Sequence, residues 1–445
     1  MMLTRFFKIF LACTFFISMP ELNELQAQIK LKNPPPRRTK PVKKPSPPPV
    51  ARCSRKTDSL ELVKFYNALG GPDWYNKWDL AQPVSTWHGV TTSKSGCVLE
   101  IILSNNNLKG TLPNPVLPGL YQLMIDEPGV QGIIPNFNNL ANLKYLILKS
   151  DLLTGGIPKF DKLPELEYLD ISSSQVTGTI PDLDKTPVLE ELYLSGNFSG
   201  TLPDFGKLPK LHTLDITGTN LEGKLPAFEK IPLLRSLRIS GTKISGKIPD
   251  WAQHVHLQNL DLSDNALSDQ APSFAIHSKL ETLNLSGNQL AGPLPALPVS
   301  VNLSELMLQD NRFDGELKDY NMPKLRTLWL QNNNLRGAVP DFKGMPELRA
   351  IDLSNNKLSG AIPNFNRLPL LENLNLAHNQ LTGVIPNFVK IPRLLTLQLN
   401  DNQLTGKIPE FSNLPKLMTL HFYNNPLKGK PPKFKKSPNL AEVKS

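Results

Sequence analysis

Hydrophobic and polar positions alternate along this chain in a unit that recurs every 22 or 23 residues. One copy, residues 325–342, reads LRTLWLQNNNLRGAVPDF and places leucines at fixed spacings around Asn333. The asparagine-like position recurs from 106 to 425, and the frame LxxLxLxxNxLxGxIPxF fits around it fifteen times. A fixed period of this length predicts a solenoid, in which each repeat forms one coil and stacks on its neighbours.

The spacing inside one repeat predicts a short strand. Leu328 and Leu330 lie two residues apart, so they share one strand face and point into the coil, whereas Trp329 between them is turned outward. The asparagine ends the strand, and its amide can satisfy backbone groups of its own and the adjacent coil. An aromatic residue about nine positions later recurs in most copies, which predicts a buried aromatic column along the core.

The frame and its GxIP ending resemble the plant-type leucine-rich repeat, which also occurs in secreted bacterial proteins. The resemblance covers about residues 58–434. It implies a mainly β member of the α/β solenoids: a right-handed superhelix of about 15 repeats with a parallel sheet on its concave face and a helical N-terminal cap. It also implies protein or peptide binding at cell surfaces and, in some members, recognition of cell-wall polysaccharide or of enzymes that degrade it.

The segments before the repeats differ in composition from the rest. Residues 1–27 place two basic residues before a short apolar run, which predicts a secretory signal peptide, and no other segment is apolar enough to cross a membrane. Residues 28–57 are basic and rich in proline, which predicts a disordered, extended linker. The linker is either a solvated tether or a patch that contacts an anionic cell surface. We therefore expect a secreted or cell-surface protein.

Residues 58–97 are predicted to form the cap, followed by the repeats at 98–434 and a C-terminal tail at 435–445. The cap helix is expected to begin with a capping box formed by Asp58 and Glu61, with Leu60 on its buried face. Cys53 and Cys97 flank the cap, so in an exported protein we predict a disulfide between them, with free thiols as the alternative.

Net charge and the motifs present limit the classes of function that fit this sequence. The chain carries +10 overall, but the signal and linker hold 12 basic and 2 acidic residues, so 37 of each sign remain and the repeats are neutral. The high isoelectric point is thus a property of the linker and gives no reason to expect nucleic-acid binding. No nucleophile elbow, phosphate loop or metal-binding motif is present in the sequence. We expect no enzymatic activity, no cofactor and no metal.

Outward strand positions vary from repeat to repeat, so recognition is expected there. Tyr145, Tyr168 and Tyr193 are predicted to form one exposed cluster, and Trp329 with Met307 a second. Acids predominate at outward positions: Glu100, Asp126, Glu127, Asp170, Glu191, Asp215, Asp261, Asp264, Glu305, Asp310, Asp352 and Asp401. The predicted ligand-binding residues are Tyr145, Tyr168, Asp170, Tyr193, Asp215, Arg238, Asp261, Met307, Trp329 and Asp352.

Exposed aromatics beside acids suit a basic peptide or protein segment, which predicts a recognition or adhesion protein with a protein or peptide ligand. They also suit sugar rings, so a glycan is the alternative ligand. A structural surface or matrix component, in which the acids only solvate the strands, is a third possibility. Ice binding would require an unbroken threonine array, which the outward positions lack.

Several repeats depart from the frame, and each departure leads to a specific structural expectation. Pro128 replaces an asparagine and cannot substitute for its amide. The repeat at Asn197 is one residue short, which predicts a kink or bulge, and its glycosylation sequon is discounted because Asn197 belongs to the buried asparagine column. His254 and His256 fall in an irregular link, where we expect surface histidines rather than a metal site.

Overall fold

The computed structural model describes residues 53–298, 302–434 and 439–445. The predicted signal peptide at 1–27 and residues 28–52 of the predicted linker lie outside the described residues, as do residues 435–438 of the predicted tail. The linker's last residues belong instead to a helix, and the tail's last residues add a strand to the main sheet.

A long sheet runs through all described coils as parallel, in-register strands, which we call the main sheet. A short strand, β1 (Val90–Thr92), pairs antiparallel with its first member. The parallel strands, numbered in chain order, are β2 (Val98–Ser104), β4 (Gln122–Asp126), β6 (Tyr145–Lys149), β8 (Tyr168–Gly178), β9 (Glu191–Thr201), β10 (Thr213–Thr217), β12 (Ser236–Ser240), β14 (Asn259–Asp261), β16 (Thr282–Asn284), β18 (Glu305–Met307), β20 (Thr327–Trp329), β22 (Ala350–Asp352), β24 (Asn373–Asn375), β26 (Thr396–Gln398), β28 (Thr419–His421) and β29 (Glu442–Lys444).

Shorter parallel ladders follow the main sheet on the next side of each coil. Their strands are β3 (Lys109–Thr111), β5 (Gly129–Ile133), β7 (Leu152–Thr154), β11 (Asn220–Lys224), β13 (Lys243–Gly246), β15 (Ala266–Leu267), β17 (Ala291–Pro293), β19 (Arg312–Asp314), β21 (Arg336–Ala338), β23 (Lys357–Ala361), β25 (Gln380–Val384) and β27 (Gln403–Thr405). The molecule is thus a β-solenoid of stacked coils, as the repeat period predicts.

The core contains the two predicted apolar columns. Leu328 and Leu330 are 2% and 0% exposed, as their spacing requires. The phenylalanine rings at 342, 365, 388, 411 and 434 stack with centroids 6.2–6.4 Å apart. Phe342 and its counterparts have φ near 50°, a conformation that bulky residues rarely adopt. Burial and stacking of each ring offset that backbone strain.

The asparagine column satisfies the backbone where each coil leaves the main sheet. The Asn356 amide Nδ2 donates to the carbonyl oxygens of Leu330, Leu353 and Ser354 at 2.9, 3.1 and 3.2 Å. Its Oδ1 accepts from the backbone N–H of Leu335 at 2.9 Å. Asn379 and Asn402 repeat this pattern one and two coils later. The asparagine therefore joins its own coil to the preceding one, as expected.

The coil at Pro128 keeps half of this function through a different residue. Glu127 is only 1% exposed, and its carboxylate accepts from the backbone N–H groups of Asn106 and Leu108. A carboxylate accepts hydrogen bonds as an amide oxygen does but cannot donate. Glu127, predicted to be an outward acid of the ligand face, is therefore a structural group.

The N-terminal helix α1 spans Arg55–Ala68 and begins earlier than predicted. Its N-cap is Ser54, whose hydroxyl accepts from the Thr57 N–H at 3.2 Å, so the capping box at Asp58 is wrong. Asp58 is buried and accepts from the Val98 N–H at 2.9 Å, which ties the helix to β2, the first parallel strand. Leu60 is 56% exposed, contrary to expectation.

The cap is completed by two 3-10 turns, Gly71–Asp73 and Val84–Thr86, and by packed aromatic rings. Trp78 stacks on Trp87 with centroids 4.9 Å apart and contacts Trp74 edge-on. The structure pairs Cys53 with Cys97, whose Cα atoms are 5.7 Å apart. The helix, the rings and the disulfide together cover the first coil.

Two smaller expectations need correction. Asn197 is exposed rather than buried, because β9 continues through it as an extended strand, so burial is no ground for discounting its sequon. The expected irregularity is present as a register shift between β8 and β9 after Ser172. His254 is 1% exposed and belongs to the core beside His277, whereas His256 is partly exposed and contacts Lys279.

We predict that Asn356→Ala lowers the free energy of unfolding by about 2–4 kcal/mol, because the Leu335 N–H loses its side-chain acceptor and the carbonyls of Leu330, Leu353 and Ser354 each lose a donor. Urea denaturation followed by circular dichroism measures the change. Asn373→Ala is the control, since Asn373 is exposed in β24. Equal destabilisation by the two variants would contradict the proposed role of the asparagine column.

We predict that acid destabilises the solenoid through His254. Burial lowers the pKa of His254 from its ordinary value of 6.5, and its Nδ1 has no hydrogen-bond partner among the described residues. Because the folded state favours the neutral ring, the free energy of unfolding should fall as pH drops through about 6.5. His254→Leu should reduce this loss between pH 7.5 and 5, whereas His256→Gln should not; thermal melts at the two pH values test this.

Candidate ligand-binding face

The outward side chains of the main sheet form a continuous face, which we call the outer face. Register pairing places one residue per coil in a single row, including Asp215, Arg238, Asp261, Asn284, Met307, Trp329 and Asp352. Trp329 is partly exposed between the buried Leu328 and Leu330. Alternation along the strand therefore displays Trp329 as predicted, in contact range of its register neighbours.

The three predicted tyrosines lie together on β6, β8 and β9. Ring centroids are 6.4 Å apart for Tyr145 and Tyr168, and 5.4 Å apart for Tyr168 and Tyr193. The rings are tilted by 39° and 35°, and all three side chains are partly exposed. We call this group the tyrosine cluster. Its central ring, Tyr168, contacts both of the others.

Carboxylates surround the tyrosine cluster. The Tyr193 hydroxyl donates to Glu191 at 2.7 Å, and the Tyr145 hydroxyl donates to Glu167 at 3.2 Å. Burial, together with the charges of Asp170 and Glu191, raises the pKa of Tyr168 above its ordinary value. The hydroxyls therefore remain protonated at neutral pH and keep donating to the carboxylates.

Asp170 is more buried than an outward position implies. It is 5% exposed, accepts from the Ser172 hydroxyl at 2.8 Å and pairs with Lys149 at 3.0 Å. Asp170 is therefore mostly covered, so a ligand would contact Lys149 and the surrounding rings rather than the Asp170 carboxylate itself.

Arg238 bridges two acids further along the row. Its guanidinium lies 3.2 Å from Asp261 and 3.9 Å from Asp215. Burial raises the pKa of Asp215 to about 6, although Arg238 lowers it, and the charge of Asp261 raises it further. The three predicted residues are thus one ion-paired group, in which the single cation is shared.

Trp329 and Met307 form a separate region. They are register partners on β20 and β18, and Asp352 follows on β22. Six strand spacings separate Tyr193 from Trp329 along the row, a distance of roughly 29 Å at about 4.8 Å per strand. The predicted residues therefore divide into two aromatic regions on one face, with the Arg238 group between them.

Several acids of the outer face have a structural role, either as hydrogen-bond acceptors or at left-handed backbone positions. Asp352 accepts from both the N–H and the hydroxyl of Ser354, at 2.9 and 2.7 Å, and Asp261 does the same with Ser263. Residues immediately before the asparagine position have left-handed φ, which Asp, Asn and Gly tolerate best. These include Asp264, Asp310, Asn332, Asn355, Asp401 and Asn424. Such acids support the turn and carry no sign of a ligand.

A recess of about 400 Å³ continues from the tyrosine cluster towards the end of the same strands. Its lining is formed by Asp151, Ser172, Ser173, Ser174, Ser195, Gly196, Asn197, Thr217 and Gly218. β8 and β9 are 11 residues long, because Ser174 and Asn197 do not form the usual corner. Sequence reasoning missed this recess, although the replaced asparagine at 174 and the short repeat at 197 were its signal.

Comparison with known proteins supports the repeat assignment. Models described as leucine rich repeat match residues 253–271, 279–299 and 323–381. No curated protein matches the chain by sequence. In the described part of the chain, no helix combines the length and hydropathy that a membrane crossing requires.

Solved structures share the fold over most of the chain. The Arabidopsis receptor kinase HAESA, in complex with the peptide hormone IDA and the co-receptor SERK1, is 25% identical with a TM-score of 0.64, covering 83% of this chain and 78% of its own. The plant peptide hormone receptor RGFR1, in complex with RGF2, is 27% identical with a TM-score of 0.63, covering 77% and 68%. The LRR protein LIC12759 of Leptospira interrogans is 26% identical with a TM-score of 0.53, covering 74% and 90%.

The register of the main sheet, the asparagine column and these matches agree with one another. The chain thus contains segments that match leucine-rich repeat models, and its solenoid resembles the plant-type leucine-rich repeat structures in fold.

Proposed function

We propose that this is an exported, non-catalytic recognition protein that binds a peptide or protein segment along the outer face of its main sheet. The observation that carries the proposal is the tyrosine cluster: three partly exposed rings on successive coils, none of which belongs to the leucine or phenylalanine columns. Support also comes from the structural neighbours HAESA and RGFR1, whose complexes contain peptide hormones.

The cluster has the properties of a binding hot spot. Tyrosine rings bury large apolar area with little loss of side-chain entropy, and their hydroxyls provide hydrogen bonds. The hydroxyls of Tyr145 and Tyr193 are already oriented by Glu167 and Glu191. This preorganisation lowers the cost of ordering the site when a ligand binds.

The spacing of the two aromatic regions favours an extended ligand. Strand-like peptide rises about 3.3 Å per residue, so roughly nine residues would span the distance from Tyr193 to Trp329. In leucine-rich repeats the main sheet lines the inner side of a horseshoe, which gives such a segment a continuous surface. We propose that the tyrosine cluster is the principal contact and the Trp329 region a secondary one.

Glycan binding is the second candidate, and the recess favours it. Sugar rings stack on aromatic side chains and bond to carboxylates and hydroxyls. The recess presents the hydroxyls of Ser172, Ser195 and Thr217 next to the tyrosine cluster. A peptide ligand is preferred because the two aromatic regions lie on one row of a long face.

We predict that replacing Tyr145, Tyr168 and Tyr193 together by Ala lowers ligand affinity at least tenfold while the solenoid stays folded, because the rings do not fill the core. The purified protein is used to select from a displayed peptide library and, in parallel, is applied to a glycan array. Affinities of the selected ligands for wild type and variant are then measured by calorimetry.

The control is Tyr75→Ala, since Tyr75 is 75% exposed and lies outside the main sheet. Circular dichroism and urea denaturation verify that the triple variant is folded. Selected peptides that bind the triple variant as tightly as wild type would overturn the proposal. Selective binding to glycans alone would establish the second candidate instead.

Trp329→Ala provides a separate prediction. It should weaken binding of selected peptides of nine or more residues by roughly three- to tenfold and leave shorter peptides that fit the tyrosine cluster unaffected. Truncation of a selected peptide from each end, measured against both proteins, checks this. An equal loss for short and long peptides would contradict two contacts on one extended ligand.

A further inference from the structure

Negative charge is in excess around the tyrosine cluster. On and beside β6, β8, β9 and β10, the acids are Glu167, Asp170, Glu190, Glu191 and Asp215, against the lysines Lys144 and Lys149. Of these acids, Asp215 shares Arg238 with Asp261, and Glu190 lies 3.7 Å from the His212 ring. Both lysines are already paired, Lys144 with Glu167 and Lys149 with Asp170. An arriving ligand therefore meets no free lysine in this region, and an anionic ligand is disfavoured.

Glu191 differs from the other acids. It is the register partner of Tyr168 and accepts from the Tyr193 hydroxyl through one oxygen, Oε2. Among the described residues no cation pairs with Glu191. A partly exposed carboxylate that lies beside two tyrosine rings without a cation leaves unbalanced negative potential at the surface of the cluster.

Tyr168, the central ring of the tyrosine cluster, is the third element of the candidate site. Tyr168 lies between Tyr145 and Tyr193, and both Asp170 and Glu191 are close enough to raise the pKa of its hydroxyl. An aromatic face attracts cations through its quadrupole, and neighbouring carboxylates strengthen the attraction. Arginine is especially suited, because its planar guanidinium stacks on rings and bonds carboxylates simultaneously.

We propose that the tyrosine cluster binds a lysine or arginine side chain of the peptide ligand, with the cation over Tyr168 and beside Glu191. The proposal rests on the proposed function and narrows it to basic peptides. The aliphatic stem of the side chain packs on the tyrosine rings, while the adjacent recess, lined mainly by serine hydroxyls and backbone, accommodates the neighbouring residue of the peptide.

The first test uses the peptides themselves. Peptides selected for affinity in the library experiment should be enriched in arginine or lysine at one fixed position. Replacement of that arginine by citrulline, which keeps the shape and removes the charge, should weaken binding at least tenfold. Binding should also weaken as NaCl is raised from 50 to 500 mM, because salt screens exposed charges.

The second test uses two variants with opposite expected effects. Glu191→Gln removes the unpaired charge but keeps an oxygen for the Tyr193 hydroxyl, so it should weaken the arginine peptide roughly three- to tenfold. Lys149→Gln releases Asp170 from its ion pair and should strengthen the same peptide. The citrulline peptide should respond to neither change. Glu222→Gln is the matched control, since Glu222 is exposed on β11, outside the main sheet.

The outcomes separate this inference from the proposed function. Selected peptides that need the tyrosines but show no preference for a basic residue would overturn the basic side chain and leave peptide recognition intact. Peptides that bind without need of the tyrosines would overturn both. Weaker binding of the arginine peptide to Lys149→Gln than to wild type would also overturn the assignment, as would a preference for glycans over every peptide.

Discussion

The structure depends on satisfying the backbone at the corner where each coil leaves the main sheet. There the strand ends, the chain turns through a left-handed residue, and several peptide groups become buried away from water. One asparagine amide, with two donor hydrogens and an acceptor oxygen, reaches carbonyls of its own coil and of the preceding one. Because each amide joins two coils, the column transmits register through the coils from Asn265 to Asn425, where it is unbroken.

The need to satisfy the backbone also explains why several acids lie on or near the outer face without contacting a ligand. Asp264, Asp310 and Asp401 lie at the left-handed corner position, and Asp261 and Asp352 hold the serine two residues later. Glu127 replaces an asparagine oxygen. Each of these acids has a task in the coil. Glu191 has none of these tasks, since it lies at the start of β9 beside Tyr168 and Tyr193, and for that reason it carries more weight for recognition than the number of acids does.

The tyrosine cluster lies on the coils that depart most clearly from the repeat frame. At Ser174 and Asn197 the usual corner is replaced by strands that continue for 11 residues, and the tyrosine cluster lies on those same strands. Losing the corner opens the recess, and the Asn197 amide donates to the Ser174 carbonyl in place of the usual corner bonds. Fewer corner bonds are expected to cost stability in a molecule held together by contacts between neighbouring coils. A repeat protein that departs from its own pattern beside an exposed cluster is expected to do so for function.

The period, the inward leucines, the phenylalanine column and the outward placement of Trp329 were determined by the sequence alone, because alternation and repeat length are local rules that each coil obeys. The closeness of the three tyrosines to one another also followed from the repeat period. Only the tertiary structure decided which acids are structural, that His254 is buried, that Asn197 is exposed and that Ser54 rather than Asp58 caps the helix. These properties depend on hydrogen bonds and packing between residues some 20 or more positions apart, or on a single helix end, and no periodic pattern encodes them.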